Sequence, residues 1–206
     1  MKKVLWVLLV ITALCIGIYP LIYFFIDETF GLLMHKSSEL LANAFWRLGF
    51  YTHITLGGLA LLIGWVQFSK KLRRKYLLWH RRIGKLYVFS VLLSGISGVG
   101  VAFYSTGGLI TQIGFQLLGI IWLATTILGF ITARNQQILA HQKWMIYSYA
   151  ACFSAVTLRI WLPLLTIYFQ GDFIQAYLIV AWLAWVPNLI VAYFITKRLT
   201  PNVSLG

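Results

Sequence analysis

Six apolar stretches, each at least 21 residues long, alternate with short polar connections along the chain. They run over about 4–25, 47–68, 84–104, 109–132, 141–169 and 173–196. At about 1.5 Å per helical residue, a stretch of that length crosses a hydrocarbon core of ~30 Å. Strands are excluded: unpaired backbone groups in lipid cost several kcal/mol each, and no run alternates with the period of two that a barrel needs. With 61% hydrophobic and 10% charged residues and a mean hydropathy of +0.85, a soluble fold would leave large apolar patches facing water. Short connections make neighbouring helices antiparallel. The expected fold is an all-α integral membrane protein, a single six-helix up-and-down bundle.

The net charge of +13 could suggest a nucleic-acid partner, but the placement of the charges argues otherwise. Fourteen of the 17 Lys and Arg fall on one side of the spans: Lys2, Lys3, Lys70, Lys71, Arg73, Arg74, Lys75, Arg81, Arg82, Lys85, Arg134, Lys143, Lys197 and Arg198. Lys36 and Arg47 fall on the other side, with all four acids, Asp27, Glu28, Glu39 and Asp172. This is the positive-inside pattern, which places both termini in the cytoplasm. The basic run 70–85 is then positioned for anionic lipid headgroups. Nothing in the sequence fixes an oligomeric state.

Between the first two spans, residues 26–46 carry apolar positions at near-helical spacing and read as an outer amphipathic segment, a lid or a linker. Val4 to Phe25 has no convincing cleavage site and is read as a retained helix. Cys15 and Cys152 both sit in spans and read as buried small hydrophobes. Ser94, Gly95, Ser97, Gly98 and Gly100 form a small-residue stripe that permits close helix approach. Pro163 and Pro187 predict kinks in helices five and six.

Ionisable groups in a membrane span are costly, which makes each one a candidate site. His80 and His141 precede helices three and five at the same depth and would face a shared ligand such as a haem iron. At the other end His53 lies in helix two, near the expected depth of Gln112 and Gln116 on helix four and Arg159 on helix five. Arg159 has no acid in any span to pair with. Its partner is either helix carbonyls and glutamines, or a ligand carboxylate, haem propionate or quinone oxygen, which its planar fork suits. No phosphate-binding glycine loop, paired-carboxylate site or zinc constellation occurs, and no span holds an acid for a cation relay.

The segments Leu59 to Phe68, Leu72-Arg73-Arg74, His80 to Tyr87, His141 to Met145 and Thr157-Leu158-Arg159 resemble a bacterial membrane family catalogued as domain of unknown function 2306. The resemblance spans about residues 50–195, implies a polytopic membrane protein, and marks His53, His80, His141 and Arg159. A weaker likeness is to transmembrane b-type cytochromes, which hold two haems by histidine pairs on four central helices. His80 and His141 are placed like one such pair, while His53 faces Gln112 and Gln116 where the other pair would need a histidine.

The leading functional expectation is a small b-haem or quinone-linked membrane redox protein, with His80 and His141 as iron ligands and Arg159 and His53 holding an anionic or quinone group. The alternatives are a non-enzymatic lipid-binding or assembly protein, and a small-molecule transporter with a central cavity reaching His53 and Arg159.

Overall fold

The structure, a computed structural model, describes residues 2–25 and 31–199; Asp27 and Glu28 lie outside them. Six helices long and apolar enough to cross a membrane account for most of the described chain, and no strand occurs among the described residues. The expected fold class holds. Rows of Leu, Ile, Val and Phe are exposed around the outside of the bundle, the surface that meets the bilayer.

The first span is α1 (Lys2–Ile18), continued by a 3-10 turn at Tyr19–Phe24. A second 3-10 turn, Gly31–His35, and the short α2 (Ser38–Ala42) form a strap that leads into the second span. That span is α3 (Ala44–Gly64), started by Asn43, whose side-chain oxygen accepts from the Trp46 amide at 3.0 Å. The basic α4 (Lys70–Lys75) leads into α5 (Leu77–Ala102), followed by α6 (Leu109–Arg134). The fifth span is split into α7 (Ile138–Cys152) and α8 (Ser154–Tyr168), and the sixth into α9 (Phe173–Leu183) and α10 (Val186–Lys197). Helix α3 packs between α1 and α5, α6 between α5 and α7, and α9 against both α6 and α8.

Two local expectations change. The third span begins at Leu77 rather than Gly84, because Arg81, Arg82 and Lys85 ride on a helix end whose long side chains can reach water. Arg82 lies over the Trp79 ring at 5.7 Å. Cys15 is exposed on the outer face of α1, whereas Cys152 is buried.

The breaks in the last two spans have different origins. Pro187 sits in the first turn of α10, where its missing N–H breaks no hydrogen bond, and the sixth span is interrupted just before it. In the fifth span the break falls at Phe153, well before Pro163, which lies inside α8. Asn188 joins the two interruptions: its Nδ2 lies 3.3 Å from Ala150 O, 3.1 Å from Ala184 O and 3.1 Å from Thr157 Oγ1. Thr157 in turn donates to Ala184 O. Carbonyls freed by each break thereby regain donors, the condition for irregular backbone at membrane depth.

Below these breaks runs a buried chain of hydroxyls. Thr126 Oγ1 donates to Trp122 O at 2.7 Å, so its own hydrogen is committed and it must accept from Ser148 Oγ, 2.6 Å away. Ser148 therefore accepts from Tyr87 Oη at 2.8 Å. Ser148→Ala would leave two buried hydroxyls short of a partner and is expected to cost about 1–3 kcal/mol. Thermal unfolding in detergent, compared with Ser148→Thr, measures that loss.

Candidate functional site

A cavity of about 220 Å³ opens between α3, α5, α6 and the α7–α8 break, in the half of the bundle away from the basic end. Its walls are mostly apolar, including Phe50, Ile54, Leu118 and Trp122. Three basic side chains also line it: Lys36 from the strap, His53 from α3 and Arg159 from α8. No Asp or Glu lines it among the described residues.

His53 is oriented from α5. Its Nδ1 lies 2.9 Å from Ser94 O, and since a carbonyl only accepts, Nδ1 carries the proton and Nε2 is left as the acceptor. Ser94 Oγ donates back to His53 O at 2.8 Å. The ring fits against α5 because residue 98 is glycine: a Cβ there would stand 2.5 Å from Nδ1. The small-residue stripe thus accommodates a side chain on this face, and at Gly95 it accommodates Leu123 of α6.

Arg159 donates from Nη1 to Ala155 O at 2.9 Å, one turn back on α8, and its guanidinium lies 4.5 Å over the Tyr19 ring. Both contacts orient it, yet neither neutralises it. The α7–α8 break borders the same cavity with both helix ends, Ala151 and Cys152 from the last turn of α7 and Ser154 and Ala155 from the first turn of α8, so their opposite partial charges offset.

The strap supplies what the sequence reading missed. Lys36 Nζ donates to Tyr104 O and to Thr106 Oγ1, the latter at 3.1 Å, fastening the strap over the α5–α6 turn. His35 stacks on Phe173 at the start of α9, ring centroids 3.6 Å apart. Leu32, Leu33 and Lys36 all face the cavity, so the strap covers it as well as connecting two spans. The available signal was a lysine and histidine side by side in an amphipathic run on the side poor in basic residues.

Burial lowers the Lys36 ammonium to a pKa of about 8 from its usual 10.5. Two effects follow as pH rises. From about 8 to 10.5 the unfolded chain still binds the proton that folded Lys36 has lost, so docking of the strap strengthens with pH. Over the same interval the cavity loses one of its positive charges. Affinity for an acidic ligand is therefore expected to fall as pH passes about 8, and Lys36→Gln should flatten that step in a binding titration.

Gln112 and Gln116 do not join His53. The residues of α6 that line the cavity are Phe115, Leu118, Gly119 and Trp122, and the two glutamines sit off that stripe. His80 and His141 are together, but at the basic end and outside the cavity lining. Each lies in the first turn of its helix, close enough for their charges to interact. His141 donates from Nδ1 to Gly129 O at 2.8 Å, while His80 Nδ1 is buried without a hydrogen-bond partner. Gln67, whose Oε1 lies against Gly84 one turn beyond His80, has both amide atoms buried and unpartnered. It is a second residue that the sequence reading passed over. No group of three or more His, Cys, Asp or Glu placed to hold a metal occurs among the described residues.

Residues 50–196 match the family of predicted membrane proteins designated DUF2306. The chain belongs to that family. The matched region of this DUF2306 protein contains His53, His80, His141 and Arg159, while α1 and the strap with Lys36 precede it. Comparisons with curated proteins and with solved structures found no match.

Proposed function

We propose that the cavity receives the acidic head of a small amphipathic molecule, making this multi-pass protein a binder, and by extension a carrier, of membrane-soluble organic anions. The observation that carries this reading is the convergence of the cationic Lys36 and Arg159, with the neutral His53, on one apolar-walled cavity with no acid among its described lining residues. Uncompensated positive charge in low dielectric is stable only against an anion or strong acceptor. The volume of about 220 Å³ is below the ~300–1,000 Å³ of pockets for drug-sized ligands. It suits a head group and its first methylenes, with the tail among the helices. By the positive-inside rule the basic end faces the cytoplasm of a bacterial inner membrane, which puts the cavity in the outer half. Lys70 to Lys85 then lie against anionic headgroups of the inner leaflet.

The test uses cis-parinaric acid, a fluorescent long-chain carboxylate, with its methyl ester as the neutral control. The acid is expected to bind the purified protein at least tenfold more tightly than the ester. Equal binding would remove the anion from the proposal and leave a neutral acceptor, such as a quinone carbonyl, as the alternative partner of Arg159.

Haem b fits the residues less well. An axial histidine needs its second nitrogen held, and His141 has that support from Gly129 O whereas His80 has none. The cavity that Arg159 and His53 line reaches neither histidine, so these two cannot anchor propionates of an iron porphyrin held by His80 and His141.

A further inference from the structure

At the basic end a second concavity, about 330 Å³, lies between α7 and α10. Lys143, Trp144 and Tyr147 form one wall, and Tyr193, Thr196 and Lys197 the other. We infer that this groove binds the phosphate of an anionic phospholipid.

The groove holds two ammonium groups and no carboxylate. Lys197 Nζ lies 4.6 Å over the Tyr193 ring, one turn back on α10, which holds the ammonium against the groove wall. Thr196 donates to Tyr193 O at 2.9 Å, and Tyr147 Oη lies 3.3 Å from Thr196 Oγ1, so hydroxyls from both helices meet in the groove. The position identifies the source of the phosphate. Lys197 and Lys143 sit at the ends of spans where headgroups lie, and aromatic residues at that depth are the usual interfacial anchors. Tyr193 is exposed, as are Ile190, Phe194 and Ile195 on the same helix, so the groove is continuous with the lipid-facing surface. A free inorganic phosphate would meet two charges there and largely apolar walls. A phospholipid would satisfy both, with acyl chains along α10 and its phosphate between the lysines. Basic pockets between transmembrane helices are a known form of headgroup recognition. This site is separate from the 70–85 loop and does not depend on the proposed anion cavity.

Native mass spectrometry of the full chain, with phosphatidylglycerol or phosphatidylcholine added to stripped detergent micelles, tests the inference. Phosphatidylglycerol is expected to be retained about tenfold more tightly than phosphatidylcholine. Lys143→Gln with Lys197→Gln should erase that preference, and Lys143→Arg with Lys197→Arg should keep it, which separates charge loss from misfolding. Arg134→Gln, at the same end of the bundle but outside the groove lining, should leave it in place. Retention of the preference by the folded double glutamine variant would overturn the site, and displacement of phosphatidylglycerol by millimolar inorganic phosphate would overturn the lipid assignment.

Discussion

Arg159→Leu is expected to weaken binding of cis-parinaric acid by about 10- to 100-fold and to leave the unfolding midpoint unchanged or raised. A hydrogen bond to a charged group contributes about 1.5–3 kcal/mol, and each 1.4 kcal/mol is tenfold in affinity. The stability half of the expectation follows from what the guanidinium touches in the protein. Ala155 O and the Tyr19 ring orient it, but no acid among the cavity-lining residues offsets the cost of its charge. Removing that charge relieves the free protein while depriving the ligand of its partner. Arg159→Lys should fall between the two, because it keeps the charge and loses the planar fork. A large drop in midpoint for Arg159→Leu, with binding unchanged, would assign the residue to holding the bundle together and end the anion reading.

Gly58→Val is expected to have the largest effect on folding, about 3 kcal/mol or more of lost stability or no recoverable folded protein. A Cβ at residue 58 would stand 2.6 Å from Gly17 O and 3.0 Å from Pro20 Cγ. Backbone cannot yield as a side chain can, so α1 would have to leave α3. Gly17→Ala offers the control. Its Cβ would meet Leu62 Cγ at 2.5 Å and Cδ2 at 2.7 Å, atoms of a flexible side chain, as well as Gly58 O at 3.1 Å. It should cost about 1 kcal/mol. Detergent-solubilised yield and size-exclusion profile of the two variants measure the contrast, and equal yields would show that the α1–α3 crossing is not tight.

Span count and the six-helix class were legible because hydrocarbon permits few alternatives to a helix about twenty residues long. Helix edges were less so. Leu77 to Ile83 lay hidden behind arginines that read as loop, although their long side chains allow the helix to extend past the apolar core. The break at Phe153 carried no signal of its own, since the donor that meets its freed Ala150 carbonyl is Asn188, which lies in the next span. Among the site residues, His53 and Arg159 stood out as polar groups inside spans and do line one cavity. Gln112 and Gln116 shared their depth but not the facing side of α6, which depth alone cannot specify. Lys36 was counted as a stray charge because its role depends on how the strap folds back across the helix ends.

The buried hydroxyls that end on Trp122, a cavity-lining residue, bear on proton movement through the bundle. From Tyr87 through Ser148 and Thr126 every hydrogen already points onward, and the last one rests on Trp122 O, which has none to pass along. Such a series ends on an acceptor, so in this arrangement the three hydroxyls form no through-going proton wire.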